Sequence, residues 1–195
     1  MPAPHEPARL PPHADAADLP VSEIPPGPPL APGVLAAVDC SNGSLWALDR
    51  AMTEAELLGL PLYVLSVVDP SPGGYTLGMA EIVRDGVARL LHSARDGLRR
   101  SVLAVQDARP RPFAGRVSLH VVPGDAIATV LDCSARHHTL VVGARGNGGF
   151  ARLLLGSVST AAVHHAACPV LVVPAPAAGS APAARPANSA VEGRV

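Results

Sequence analysis

The chain has 195 residues, a formal net charge of −1, 22 prolines, three cysteines and no lysine among its 15 basic side chains. The missing amine excludes the lysine-bearing phosphate loop and Schiff-base chemistry. Balanced charge and five scattered aromatics (Trp46, Tyr63, Tyr75, Phe113, Phe150) argue against a nucleic-acid partner.

Residues 1–32 hold half of the prolines, and 175–195 are rich in alanine and proline. Neither stretch buries enough apolar surface to offset its ordering entropy, so both read as disordered tails around one domain at 33–174. The opening MPAPHEPARLPPHAD lacks a basic start and an apolar run, so no signal peptide is expected. No apolar stretch reaches the roughly 20 residues that cross a bilayer, and the expectation is a cytoplasmic protein without membrane contact.

Val34-Leu35-Ala36-Ala37-Val38 is apolar at consecutive positions, the pattern of a strand buried on both faces. It stops at Asp39-Cys40-Ser41-Asn42-Gly43-Ser44, which offers several N-caps. Leu45, Leu48, Met52, Ala55 and Leu58 then recur at helical spacing, closed by Gly59 and Pro61. A second buried strand follows at Leu62 to Val68, and Asp69-Pro70-Ser71-Pro72-Gly73-Gly74 breaks into a loop. A long helix fits from about Gly78 to Val105. Val117 to Val122 is a third strand, alternating enough to suggest a sheet edge. Asp125 caps a helix carrying Ile127, Val130 and Leu131. A fourth strand, Thr139 to Val142, precedes the glycine-rich stretch, and a helix from Ser157 leads to a last strand, Val170 to Val173. Strands alternating with helices predict a parallel sheet covered on both faces, with ligands at the carboxyl ends of the strands. That rule points to Asp39 and Gly143.

Gly143 and Gly146 follow the fourth strand, and Gly156-Ser157 opens a helix. Glycines permit close backbone approach and positive φ. The bare N–H groups near Ser157, Val158 and Ser159 favour an anion. The hydroxyls of Ser157 and Ser159 and the cation of Arg145 are candidates for phosphate oxygens, and Asp39 for ribose hydroxyls. By residue type alone, an ordinary turn with an N-cap serine stands close behind phosphate binding.

GVLAAVDCSNGS, TLVVGARGNGGFARLLLGSVS and ACPVLVVP resemble the universal stress protein family over Gly33 to Pro174. Its nucleotide-binding pattern, G-x2-G-x9-G-[ST], stands here as Gly143, Gly146, Gly156 and Ser157. The resemblance implies an α/β, Rossmann-like fold: an open five-stranded parallel sheet in strand order 3-2-1-4-5, with helices on both faces. It also implies ATP, with Mg2+ as a companion ion, between the first and fourth strands, and a homodimer through Val170 to Val173. Carried over by position, Asp39 meets the adenosine, the backbone of Val67 meets adenine, and Gly143, Gly146, Gly156, Ser157 and Ser159 form the ribose-phosphate cradle. Arg145, Asn147, Gly148 and Gly149 belong to the loop across the phosphates, and Ala37 and Val158 complete the contact set. One departure is visible: the family often has an aspartate where this chain has His138-Thr139.

His137-His138 and His164-His165 are adjacent pairs that point apart, so solvated or capping roles outrank a metal site. Cys40 reads as a buried apolar thiol ahead of a redox-sensitive one at the pocket mouth, and Ser41 as a helix cap ahead of a nucleotide contact. No nucleophile stands beside a general base, so slow or absent ATP turnover is expected. The function expected is a nucleotide-responsive regulatory dimer in stress response, acting on an unidentified protein partner. A slow ATPase and a nucleotide-free interaction module remain the alternatives.

Overall fold

The computed structural model describes residues 8–9, 19–23, 25, 32–70, 80–146 and 154–176. Its elements in chain order are β1 (Ala8–Arg9), β2 (Val21–Ser22), β3 (Val34–Ala37), α1 (Asn42–Leu58), β4 (Leu62–Val68), α2 (Ala80–Ala108), β5 (Arg116–Pro123), α3 (Ala126–Ser134), β6 (Thr139–Gly143), α4 (Ser157–His165) and β7 (Val170–Val173).

The consecutive apolar runs have a geometric cause. Side chains alternate across a strand, so Val34, Ala36 and Val38 enter one core while Leu35 enters the other. Leu62 and Val64 on β4 join the first, Tyr63 and Leu65 the second. Helices α1 and α2 cover the first face through Leu48, Met52, Leu98 and Val102, all fully buried. Helices α3 and α4 cover the second through Val130, Cys133 and Ala162. Each fully buried leucine contributes roughly 1.5–3 kcal/mol relative to an exposed one.

Local chemistry sets the element ends. Ser41 caps α1, its hydroxyl accepting from Ser44 N, and Gly59 ends that helix in the left-handed region at φ 64°. Asp125 caps α3 by accepting from Ala128 N at 2.7 Å. Between them, the Gln106 side chain accepts from Phe113 N at 2.9 Å and so fixes the turn from α2 into β5.

The sheet corrects the expected five-stranded sheet in order 3-2-1-4-5. Its order is β1-β5-β4-β3-β6-β7, with β2 also paired to β5. From β5 to β7 the neighbours are parallel, whereas β1 runs antiparallel to β5 and β2 parallel to it. The added strands come from residues 1–32, expected above to be a disordered tail. That expectation is corrected for 8–9 and 19–23, because the outer edge of β5 offers unpaired backbone groups and Leu19 finds a core position, 4% exposed. The alternation in β5 therefore does not mark an open edge. The alanine-rich tail lies outside the described residues from 177 onward. Among the described residues no helix is long and apolar enough to cross a membrane.

Candidate functional site

Strands β3 and β6 are adjacent and parallel, Ala37 in register with Val142, so their carboxyl ends open at one corner. A cavity of about 900 Å³ lies there. Ala37, Asp39, Val67, Gly143, Arg145 and Gly146 line it from the strand ends. Gly156, Ser157, Val158 and Ser159 line it from the start of α4. Residues Asn147, Gly148 and Gly149 fall outside the described residues.

Asp39 is held from two sides. Its Oδ1 accepts from Ser41 N at 3.0 Å and from Ser41 Oγ at 2.5 Å. On the other side, a Cβ added at Gly146 would stand 2.3 Å from Asp39 Oδ2. Ser41 thus caps α1 and orients the carboxylate at once. The neighbouring Cys40 has φ 61°, the left-handed region that non-glycine residues avoid, and it is exposed. The buried thiol expected from its apolar neighbours is corrected: the turn that presents Asp39 rotates Cys40 outward.

The glycines serve unequal purposes, and none of Gly143, Gly146 and Gly156 has positive φ. A Cβ at Gly143 would lie 2.9 Å from the backbone of Gly43, and one at Gly43 would lie 2.4 Å from Arg145 O. The β6 exit loop therefore rests directly on the first turn of α1. Gly43 is a positioning residue that the sequence reading missed, since nothing local marks a glycine whose neighbour lies 102 positions away. Gly156 differs. At φ −78° and ψ 173°, any residue fits its backbone, and its nearest would-be neighbour, Arg145 Cα, lies 3.6 Å away. Among the described residues, packing gives no reason for glycine there.

Gly156, the N-cap of α4, has no side chain with which to cap it, and among the described residues no capping side chain is seen there. Residues of the first turn of α4 line the cavity, at the helix end that carries bare N–H groups and the positive end of the dipole. The hydroxyl expected from Ser159 is committed elsewhere: its one proton is shared between Ala144 O at 2.9 Å and Gly156 O at 3.1 Å. Ser159, 2% exposed, fastens the loop to the helix and offers the cavity an N–H, not a hydroxyl. Gly156 N donates to Ala144 O at 2.8 Å, which closes the same turn. Ser157 and Arg145 are exposed.

Helix α3 contributes Ala126 and Val130 to the cavity wall, and α4 contributes Ala161, His164 and His165. The sequence reading did not place these. Both histidines are exposed, their rings 6.0 Å apart. Among the described residues no group of three or more His, Cys, Asp or Glu converges to hold a metal ion. Of the solvated and capping roles expected, His137 takes the second: it is buried against the last turn of α3. Its Nδ1 lies 2.8 Å from Cys133 O, and its ring meets Tyr63 edge-on at 4.8 Å. Burial is the first cause that lowers its pKa from the usual 6.5. His138 Nδ1 lies 2.8 Å from Thr139 Oγ1 at the amino end of β6, the opposite end of the strand from the cavity.

The profile of the universal stress protein family matches residues 33–174. A universal stress protein of Mycobacterium tuberculosis is 30% identical over 142 residues, covering 72% of this chain and 47% of that protein. One from Mycolicibacterium smegmatis is 31% identical over 143 residues, covering 72% and 47%. The chain thus spans about half the length of the curated relatives it matches. Universal stress protein UspA from Lactobacillus plantarum has a similar fold, with a TM-score of 0.63 over 73% of this chain and 97% of that one, at 24% identity.

Proposed function

The chain belongs to the universal stress protein family, and on that premise we propose that it binds ATP at the β3–β6 corner as a regulatory ligand. The observation that carries the proposal is the start of α4, which lines a cavity of about 900 Å³ and has as its N-cap a glycine that packing among the described residues does not require. A volume of this order suits a nucleotide-sized ligand.

In this reading the phosphates rest on the N–H groups of Ser157, Val158 and Ser159, with the Ser157 hydroxyl and Arg145 alongside. Asp39, oriented by Ser41 and Gly146, accepts from the ribose hydroxyls. Adenine lies over Ala37 and the backbone of Val67, with Ala126 and Val130 as the apolar wall. Asn147, Gly148 and Gly149 are proposed to cross the phosphates. Mg2+ would arrive on the phosphates, since it binds through one or two carboxylates plus substrate oxygens.

A regulatory role fits Asp39 better than catalysis. Its Oδ1 already accepts twice from Ser41, an arrangement for a fixed acceptor and not for a base that takes a proton from water. The functional unit is read as a cytoplasmic homodimer paired through β7, whose four residues are half-buried at the sheet edge. Nucleotide-dependent ordering of the cradle would then alter the surface offered to a protein partner.

The test is mass spectrometry of the small molecule that survives purification of the full chain. Retained adenine nucleotide is expected in the native protein and much less of it in Gly146→Val and Ser157→Ala. Unchanged retention in both variants would contradict the cradle. A single-turnover assay with labelled ATP separates a ligand from a substrate, and phosphate release at a useful rate would favour the enzyme.

A further inference from the structure

The two lateral edges of the sheet are treated differently. Strand β7 pairs with β6 and, among the described residues, with nothing else. Strand β5 pairs with β4 on one side and with the N-terminal segment on the other. Val21 and Ser22 register with Leu119 and His120, and Ala8 and Arg9 with Val117 and Arg116.

Two-residue pairings are weak by themselves, so the anchors decide. Leu19 is 4% exposed within the core that α1, α2 and the sheet share. Its carbonyl accepts from Arg99 Nε at 2.8 Å. Glu23 pairs with Arg95. One apolar side chain and two arginines of α2 therefore seat the segment Leu19–Glu23 beside β5.

Natural edge strands protect themselves with charge, proline, bulges or shortness. Strand β5 has little of this. It is eight residues long, with six consecutive buried positions, Val117 to Val122. Its one fully charged residue, Arg116, and its proline, Pro123, are confined to its two ends. Self-pairing in antiparallel fashion would set the two Arg116 side chains at opposite ends of the shared ladder, so charge offers no barrier to it.

We propose that Leu19–Glu23, with the β1 pairing that precedes it, is a displaceable intramolecular cap on a strand-docking surface along the outer edge of β5, and that this surface, once uncovered, pairs with the same edge of a second copy of the chain. The segment occupies the place that an added strand takes in β-augmentation. It thereby confines self-association to other surfaces.

The test uses two variants of the full chain. Leu19→Asp puts a carboxylate into the core position and should release the segment. Glu23→Arg sets two like charges together, and adding Arg95→Glu restores an opposite pair. Amide hydrogen exchange and light scattering are read against wild type, so any assembly through β7 cancels. In each released variant the amides within 116–122 that point to the outer edge, and not those bonded to β4, should exchange at least about tenfold faster at low concentration. The mass should double relative to wild type as concentration rises, and the Glu23→Arg/Arg95→Glu protein should return to the wild-type mass. If Leu19→Asp fails to fold, Glu23→Arg carries both readings. Wild-type mass at every concentration despite faster exchange in 19–23 would overturn the proposal. So would unchanged exchange in that segment in every folded variant.

Discussion

The third glycine of the cradle separates a structural from a ligand-driven origin of the motif. In Gly156→Ala the new methyl group meets nothing closer than 3.6 Å among the described residues, and φ −78° with ψ 173° suits alanine. Restricting the unfolded chain at a compatible position stabilises by about 0.4–1 kcal/mol. Alanine is a poorer N-cap than glycine by roughly 0.5 kcal/mol, which offsets most of this. The free protein should therefore change by less than about 0.5 kcal/mol in urea unfolding. In the proposed binding mode the same methyl stands where a phosphate approaches the α4 amides, so ATP affinity should fall at least tenfold, about 1.4 kcal/mol by calorimetry. Gly146→Ala should behave differently. Its Cβ would lie 2.3 Å from Asp39 Oδ2, so the exposed carboxylate must turn and give up its Ser41 bonds, a loss of about 0.5–1.5 kcal/mol before any ligand is added. If nucleotide-free Gly156→Ala lost more than about 1.5 kcal/mol, or bound ATP as wild type does, the ligand would not be the reason for this glycine.

Cys40→Gly removes a non-glycine residue from φ 61° and should raise stability by up to about 1 kcal/mol, read as a higher urea midpoint; a lower midpoint would show that the thiol contributes more than the strain costs. His137 has its folded pKa lowered chiefly by burial. Its contribution is therefore complete above its unfolded pKa near 6.5 and is lost as pH falls below that value towards the folded pKa. The urea midpoint should drop between about pH 7.5 and 5.5, with a slope of at most about 1.4 kcal/mol per pH unit from one proton. His137→Leu should flatten that part of the profile, and an unchanged slope would assign the effect to other groups.

Most of the sheet was legible because β3, β4, β6 and β7 sit between two helical layers, where both strand faces must be apolar. The helix starts were legible for a similar reason: Ser41 and Asp125 are side chains whose capping geometry is local. The segment at 19–23 was not. Two paired residues have no periodicity, and a single leucine among prolines resembles any linker until β5 and α2 stand beside it. At the site, types and spacing indicated which residues would converge, but not their division of work. Whether Ser159 offers its hydroxyl to a ligand or to Ala144 O depends on a turn that spans 15 positions. Cys40 followed its apolar neighbours in the sequence reading, whereas the left-handed turn that presents Asp39 decides its exposure. Gly43 escaped notice because its constraint comes from Arg145 across the sheet.

The most direct measurement is isothermal titration of nucleotide-stripped full chain with ATP, repeated with Gly156→Ala. Saturable binding of one ATP per chain, weakened at least about tenfold in the variant while its stability is kept, is the predicted result. No binding of ATP, AMP or a cyclic nucleotide to the folded wild-type protein would contradict it.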